Sequence, residues 1–268
     1  MNAGTRFGSR VTAGLALCGI DLGQVRSTVG GARWYRDDLR RWKELAGSTP
    51  EFALGRPFPM LGDRVAGAGN ASGHYFHQDL LVAQRVAALE PRRHVDVGSR
   101  IDGFVAHVAA FRHIDVVDIR PLGVEVPNIG FVRADLMAGI PAELVGSTDS
   151  LSCLHALEHF GLGRYGDPLD PDGHRKGLAS LAALLEPGGR LHLGVPIGPQ
   201  RVEFNAHRVF SVAHLLDLVA PDFTLDRISY VDDAGALVRD ADPEQGRRDN
   251  WGCHYGCGIA ELVRRAPT

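Results

Sequence analysis

Two groups of residues in this chain have the types and spacing to do chemistry. The first is Asp96-Val97-Gly98-Ser99-Arg100-Ile101-Asp102-Gly103, which closes an apolar run beginning at His94. About 20 residues further on, a second apolar run, Ile114 to Val117, ends in Asp118. A strand, a glycine turn opening a helix, and an acid at the tip of the next strand make a nucleoside-binding half-site. The glycine lets the backbone approach a ligand, and the acid accepts from ribose hydroxyls. Ala134-Asp135-Leu136 follows a third strand, where Asp135 can accept from an adenine amino group beside a backbone donor at Leu136. Arg100 stands where a dinucleotide turn carries its middle glycine, and its side chain crowds the seat of a pyrophosphate. S-adenosylmethionine has no phosphate, so Arg100 favours it over NAD; an α/β turn that binds nothing is the bland alternative.

The second group is His155-x-x-Glu158-His159, just beyond a fourth strand. Open α/β sheets bind ligands at the carboxyl ends of their strands, so His155, Glu158 and His159 lie on the active edge. Histidine suits proton removal near neutrality. His159 and His207 are the two candidate bases, with His155 beside them; the alternative is that His155 and His159 only hold the loop. The run also matches an inverted zinc-protease signature, but it follows a strand end rather than lying on a helix. Cys253-His254-x-x-Cys257 lacks a second cysteine pair, which argues against structural zinc and leaves Cys257 as a small residue of the last strand. Asp167-Pro168-Leu169-Asp170-Pro171-Asp172 fails the calcium-loop spacing and reads as a rigid loop capping the next helix, with magnesium left open. No metal is expected.

The elements that must position these groups follow from the pattern. A helix runs from near Tyr75 to Leu89; Tyr75, Gln78 and Asp79 either contact the cofactor or simply face the packing side. Strands are expected at 94–97, 114–118, 130–133, 148–154 and 190–195, then at 223–231 and 255–263. Helices are expected at 102–111, 140–145, 174–186 and 211–220. Glu203-Phe204-Asn205-Ala206-His207-Arg208 reads as an acceptor-contacting loop. Short apolar strands separated by helices imply a mainly parallel sheet covered on both faces.

The ordered set Val95-Asp96-Val97-Gly98, Asp118, Ala134-Asp135-Leu136, His155-Ala156-Leu157-Glu158-His159 and Leu185-Glu186-Pro187-Gly188-Gly189 resembles the class I S-adenosylmethionine-dependent methyltransferases. More narrowly, His74-Tyr75-Phe76-His77-Gln78-Asp79, Gly98 to Phe104, Leu157 to Asp167 and Phe204 to Arg208 are similar to the DUF268 group, a domain of unknown function. The resemblance covers roughly 73 to 265. It implies a Rossmann-like seven-stranded sheet with an antiparallel edge strand, and a cofactor pocket lined by Asp96, Gly98, Asp118 and Asp135. Ser99, Arg100, Leu136, His155, Tyr75 and Gln78 complete the expected cofactor contacts, Arg100 either pairing with the methionine carboxylate or closing the pocket. The implied activity is O-methylation of a sugar or secondary metabolite, as in glycan or natural-product biosynthesis. A non-methylating protein of this fold and a nucleotide-dependent oxidoreductase are the rival readings.

Composition narrows the class further. The 268 residues suit an N-terminal helical and loop extension, 1–72, followed by one α/β domain, 73–268. With 29 Lys+Arg against 32 Asp+Glu and no basic block, nothing suggests a nucleic-acid partner. Four scattered cysteines suggest a reducing, cytoplasmic setting. No apolar run is long enough to span a bilayer, and Arg10 to Ile20 reads as a weak leader rather than a signal peptide. A small-molecule acceptor is the expected partner, with a homodimer left open.

Overall fold

The computed structural model describes residues 22–48, 51–65, 67–69 and 71–266. Its chain divides into two units, Met1–Asn70 and Ala71–Thr268. In the first, helix α1 spans Leu22–Ala46, within the stretch expected as a helical and loop extension. Arg64 pairs with Asp38 and lies 4.1 Å over the Trp34 ring. The leader reading of 10–20 falls outside the described residues. No helix among the described residues is long and apolar enough to cross a membrane.

The second unit is built on one eight-stranded sheet. Its strands are β1 (His94–Val97), β2 (Ile114–Asp118), β3 (Ile129–Arg133), β4 (Thr148–Leu154), β5 (Leu185–Ile197), β8 (Phe223–Val231), β9 (Leu237–Val238) and β10 (Gly256–Arg264), while β6 (Arg201–Glu203) and β7 (His207–Val209) form a separate hairpin. The order across the sheet is β3-β2-β1-β4-β5-β10-β8-β9. The first five are parallel, and β10 runs antiparallel between β5 and β8. The order reverses between β1 and β4, and that switch point opens a crevice at their carboxyl ends. The fold is a Rossmann-like α/β sheet, as expected, but with eight strands rather than seven. Its long antiparallel strand is internal, and the edge belongs to the two-residue β9.

Each face of the sheet has its own apolar core. On one, Leu151, Leu191 and Leu193 pack with Leu181 and Leu184 of α4 (Gly173–Leu184) and Leu215 of α5 (Val212–Val219). On the other, Ile114, Val116 and Ile259 pack with Leu81, Val82 and Val86 of α2 (His74–Leu89), and with Phe104 and Val108 on and beside α3 (Ala106–Ala109). Helix α2 stops where Glu90 turns left-handed (φ 47°) before Pro91. Residues expected as helix at 140–145 form only the single turn Ala142–Leu144, because Pro141 precedes it in an extended conformation. The expected helix at 102–111 begins with an irregular turn, Ile101–Val105, broken at Gly103. The last α-helix among the described residues, α6, spans Pro243–Asp249.

One buried acid fixes the turn after β1. Asp96 is 0% exposed and accepts from Ser99 N (3.0 Å), Ser99 Oγ (2.7 Å) and Ser152 Oγ (2.5 Å). Next to it Gly98 adopts φ 73°, and a Cβ there would lie 2.8 Å from that of Ala156, so only glycine fits. Burial raises the Asp96 carboxyl from 3.8 to about 6, against the three donors that favour its charge. A raised folded value means the folded state binds the extra proton. This contribution to stability is full below the unfolded value and is lost as pH rises through about 6. Wild type should therefore gain about 1 kcal/mol relative to Asp96→Asn between pH 7 and pH 5. Denaturant unfolding of both proteins at the two pH values measures it, and an unchanged difference contradicts the assignment.

Candidate functional site

The carboxyl ends of β1, β2 and β3 and the segment after β4 line a narrow, partly open cleft with a cavity volume of about 50 Å3. Val97, Val117, Leu136, Ala156 and Phe160 give it apolar walls. Gly98, Asp118, Asp135 and His159 supply backbone and polar groups. The loop after β3 is set by Asp135, whose Oδ1 accepts from Met137 N at 2.9 Å. Flat apolar walls with an acid at each of two strand tips suit a nucleoside: the ring lies between aliphatic surfaces and its hydroxyls and amino group find carboxylates.

Asp118 already has a partner. Its Oδ1 accepts from Arg120 N (2.8 Å) and Nε (3.0 Å), and its Oδ2 from the same guanidinium (2.5 Å). Arg120 also reaches the Gly98 carbonyl (3.4 Å) and lies 4.6 Å over the Tyr165 ring. A ligand ribose at Asp118 therefore meets Arg120 first.

A second, more polar pocket adjoins the cleft through a shared wall residue, His159. Its other walls include Tyr75, His155, Glu158, Arg164, Asn205, His207 and Tyr255. The β6–β7 hairpin supplies Asn205 and His207, and Asn205 at φ 63° makes the tight reversal. Arg208 fastens this hairpin to the site. Its buried guanidinium donates to the carbonyls of Glu158 (3.3 Å), Phe160 (2.6 Å), Asp170 (3.4 Å) and Pro171 (3.2 Å).

The tautomer of His159 follows from its partner. Nδ1 lies 2.7 Å from the Ala206 carbonyl, which only accepts, so Nδ1 carries the proton and neutral Nε2 has a free lone pair. Arg164 donates to the same carbonyl at 3.0 Å. Nε2 lies 3.6 Å from Glu158 Oε1. Burial pulls the His159 value below 6.5, and Glu158 opposes this. The result is a neutral imidazole at neutral pH, with a carboxylate ready to face the cation formed when it takes a proton. Glu158 is 1% exposed and also accepts from His155 Nδ1 at 2.8 Å. Burial pushes its carboxyl up, but His155 and His159 outweigh that and hold it below the usual value. His155 itself is held well above 6.5: burial lowers it, and Cys257 and Glu158 more than compensate.

Not all expected site residues meet in the cleft. Gly98, Asp118, Asp135 and Leu136 line it, with His159 at its inner wall. Asp96 and Ser99 are instead buried in their mutual hydrogen bonds behind the turn. Arg100 points outward: its side chain is 64% exposed and paired to Asp102 at 2.7 Å, so it neither closes the cleft nor crowds a phosphate within it. Gln78 is buried against Asp79 and Cys257, because α2 packs that face onto the sheet. Tyr75, His155 and His207 line the second pocket instead. His207 Nε2 is 3.0 Å from Glu203 Oε2. The sequence reading missed Arg120, Arg164, Tyr165, Tyr255 and His74. Only the clustering of arginine and tyrosine in Gly163-Arg164-Tyr165 offered a local signal.

A model of the family described as Caenorhabditis protein of unknown function, DUF268, matches residues 141–225, which bears out the DUF268 resemblance over that segment. No curated protein sequence matches the chain. Among solved structures, the [4+2]-cyclase SpnF is 14% identical with a TM-score of 0.52, covering 71% of this chain and 82% of its own. A chain of the Haloferax volcanii complex containing the Trm112 methyltransferase activator is 12% identical with a TM-score of 0.50, covering 73% and 91%. The Burkholderia thailandensis 1,6-didemethyltoxoflavin-N1-methyltransferase, solved with S-adenosylhomocysteine, is 19% identical with a TM-score of 0.48, covering 71% and 79%. The fold is thus the Rossmann-like fold of class I methyltransferases.

Imidazole NMR tests the electrostatics of His159 without any ligand. Its titration midpoint should lie below 6.5, with Nδ1 protonated in the neutral form, and Glu158→Gln should lower it further by removing the charge that opposes burial. A midpoint at or above 6.5 in the wild type contradicts the arrangement.

Proposed function

We propose that this chain is an S-adenosylmethionine-dependent methyltransferase acting on an oxygen of a small polar acceptor, a sugar or a secondary metabolite. The observation that carries the reading is His159. It lines both the apolar cleft and the polar pocket, and its free Nε2 is backed by a buried carboxylate.

The groups lining the cleft suit the cofactor's adenosine, for which the narrow cleft must open: Leu136 and Phe160 offer apolar surface, Asp135 an acceptor for the amino group, and Asp118 an acceptor for the ribose hydroxyls. When bound, the cofactor supplies an electrophilic methyl carbon on a sulfonium. The protein's own task is to orient the acceptor and remove its proton. His159 Nε2 takes the hydroxyl proton, Glu158 stabilises the resulting imidazolium, and the Ala206 carbonyl holds the ring in place through Nδ1. Tyr75, Asn205, His207 and Tyr255 are placed to bind acceptor hydroxyls, which favours a polyhydroxylated acceptor over an apolar one. The neutral state of His159 near pH 7 makes it available as a base without prior deprotonation.

A second reading has one observation behind it. Asp118 is occupied by Arg120, and this fold also carries a [4+2]-cyclase, so a non-methylating enzyme on the same frame is the rival.

Calorimetry with S-adenosylmethionine, S-adenosylhomocysteine and NADH separates the readings. Heat is expected with the two sulfur compounds and not with NADH, and silence from both sulfur compounds sinks the proposal. Asp118→Ala should weaken cofactor binding by about 1 to 3 kcal/mol, the scale of a hydrogen bond to a charged group. In His159→Gln, turnover on an accepted hydroxyl substrate should fall by about 100-fold or more while cofactor affinity stays unchanged. Parallel loss of affinity would instead assign His159 to cofactor binding.

A further inference from the structure

Beside the second pocket, three side chains from distant parts of the chain converge. His74 opens α2, His155 follows β4, and Cys257 lies in β10; each offers a donor atom, and these donors lie within 4.8 Å of one another. Nothing in the proposed methyl transfer uses this cluster. Its composition is that of a transition-metal site: two imidazoles and a thiol are borderline-soft ligands suited to zinc.

The environment of each donor agrees. His155 is 6% exposed at its side chain, its Nδ1 is held by Glu158, and its Nε2 is buried with no hydrogen-bond partner and faces the Cys257 thiol. A carboxylate on one ring nitrogen is how metal-binding histidines are commonly oriented, and Nε2 would give up its proton on binding the ion. His155 holds its position with φ 51°, a left-handed conformation that costs a non-glycine residue of order 1 kcal/mol or more and turns its ring inward. The His74 and His155 rings are stacked, parallel to within 4° with centroids 5.4 Å apart, so one ring must rotate before both can point a nitrogen at one ion. His74 also interacts with the Tyr255 backbone. Cys257 is fully buried, and its thiol makes a long contact, 3.6 Å, to Gln78 Oε1.

We infer that His74, His155 and Cys257 form a zinc site at the edge of the second pocket, with the fourth ligand, a water or a substrate oxygen, drawn from that pocket. Tetrahedral zinc would bring the donors to roughly 3.3–3.6 Å from one another, given zinc–ligand distances of about 2.0–2.3 Å. From 4.8 Å that requires a closure of about 1 Å, within reach of side-chain rotation. Charge supports occupancy too. With its thiol proton released on binding, the Cys257 thiolate and the Glu158 carboxylate together would balance a divalent cation. Metal binding here does not depend on methyl transfer, so either proposal can fail without the other.

The test uses the full chain, purified without a polyhistidine tag, stripped with a chelator and then titrated with Zn2+ or Co2+ alone. Close to one equivalent of Zn2+ should be retained by elemental analysis. The Co2+ form should show a thiolate-to-cobalt charge-transfer band that persists in Cys253→Ser and disappears in Cys257→Ser. Glu158→Gln, which leaves all three donors in place, should weaken Co2+ binding by about 10- to 100-fold. If Cys257→Ser does not fold by circular dichroism, His74→Gln replaces it: the band remains, but at least about tenfold more Co2+ is needed to saturate it. Absence of the band from the wild type, or its persistence in folded Cys257→Ser, overturns the assignment and leaves the cluster as a thiol–imidazole pair.

Discussion

Glu158 is the constraint around which the active edge is arranged. A carboxylate with 1% exposure is unfavourable unless it is paired, because the interior cannot solvate its charge. It is paired with two imidazoles, at 2.8 Å to His155 and 3.6 Å to His159, and neither ring can move without exposing that charge to an apolar surround. The pairing turns Nδ1 of His155 and Nε2 of His159 toward Glu158. Arg208 anchors the same segment from below, its buried guanidinium spending its donors on four backbone carbonyls rather than on a carboxylate. A loop that in isolation would sample many conformations is held here by charge on one side and by backbone hydrogen bonds on the other.

That arrangement divides the ligand-binding edge into two environments. Toward β1, β2 and β3 the walls are aliphatic and the polar groups sit at the strand tips, as a flat heterocycle with a hydroxylated sugar requires. Toward the β6–β7 hairpin the walls are imidazole, phenol, guanidinium and amide, suited to a polar acceptor. His159 belongs to both. On the proposed reading, a base on that shared wall would reach a proton on one ligand while the other approaches from the opposite side, as an in-line transfer between two ligands needs.

The parts legible in the sequence were those governed by local patterning. Strands 94–97, 114–118 and 148–154 coincide with β1, β2 and β4, where short clusters of Val, Ile and Leu are bounded by turn residues. The start of β5 was hidden: Glu186-Pro187-Gly188-Gly189 looked like a turn ahead of the strand, but it forms a bulge within it. Pairing steps from Thr148↔Leu185 to Ser150↔Arg190 across that bulge. The β6–β7 hairpin has three-residue strands without apolar alternation, so it resembled a loop. The cluster of His74, His155 and Cys257 was illegible for a different reason. Its members have no spacing in common, and only the packing of α2 against β4 and β10 brings them together. Cys257 therefore looked like an ordinary core residue, and by burial alone it is one.

The pair Asp118–Arg120 shows how magnitude decides between two readings of a contact. The bond is bidentate in geometry, and on paper it takes away the acid that a ribose would need. However, the Arg120 side chain is 41% exposed, and an ion pair with that access to water contributes about 0–1 kcal/mol. The stacking of its guanidinium on Tyr165 adds about 0.5–1 kcal/mol at an exposed site. Together these are small beside the free energy of burying a nucleoside in an apolar cleft. Arg120 is thus a movable cover over Asp118, not a plug. Freed from the acid and still leaning on Tyr165, its guanidinium remains at the mouth of the cleft, where a ligand carboxylate would find a cation.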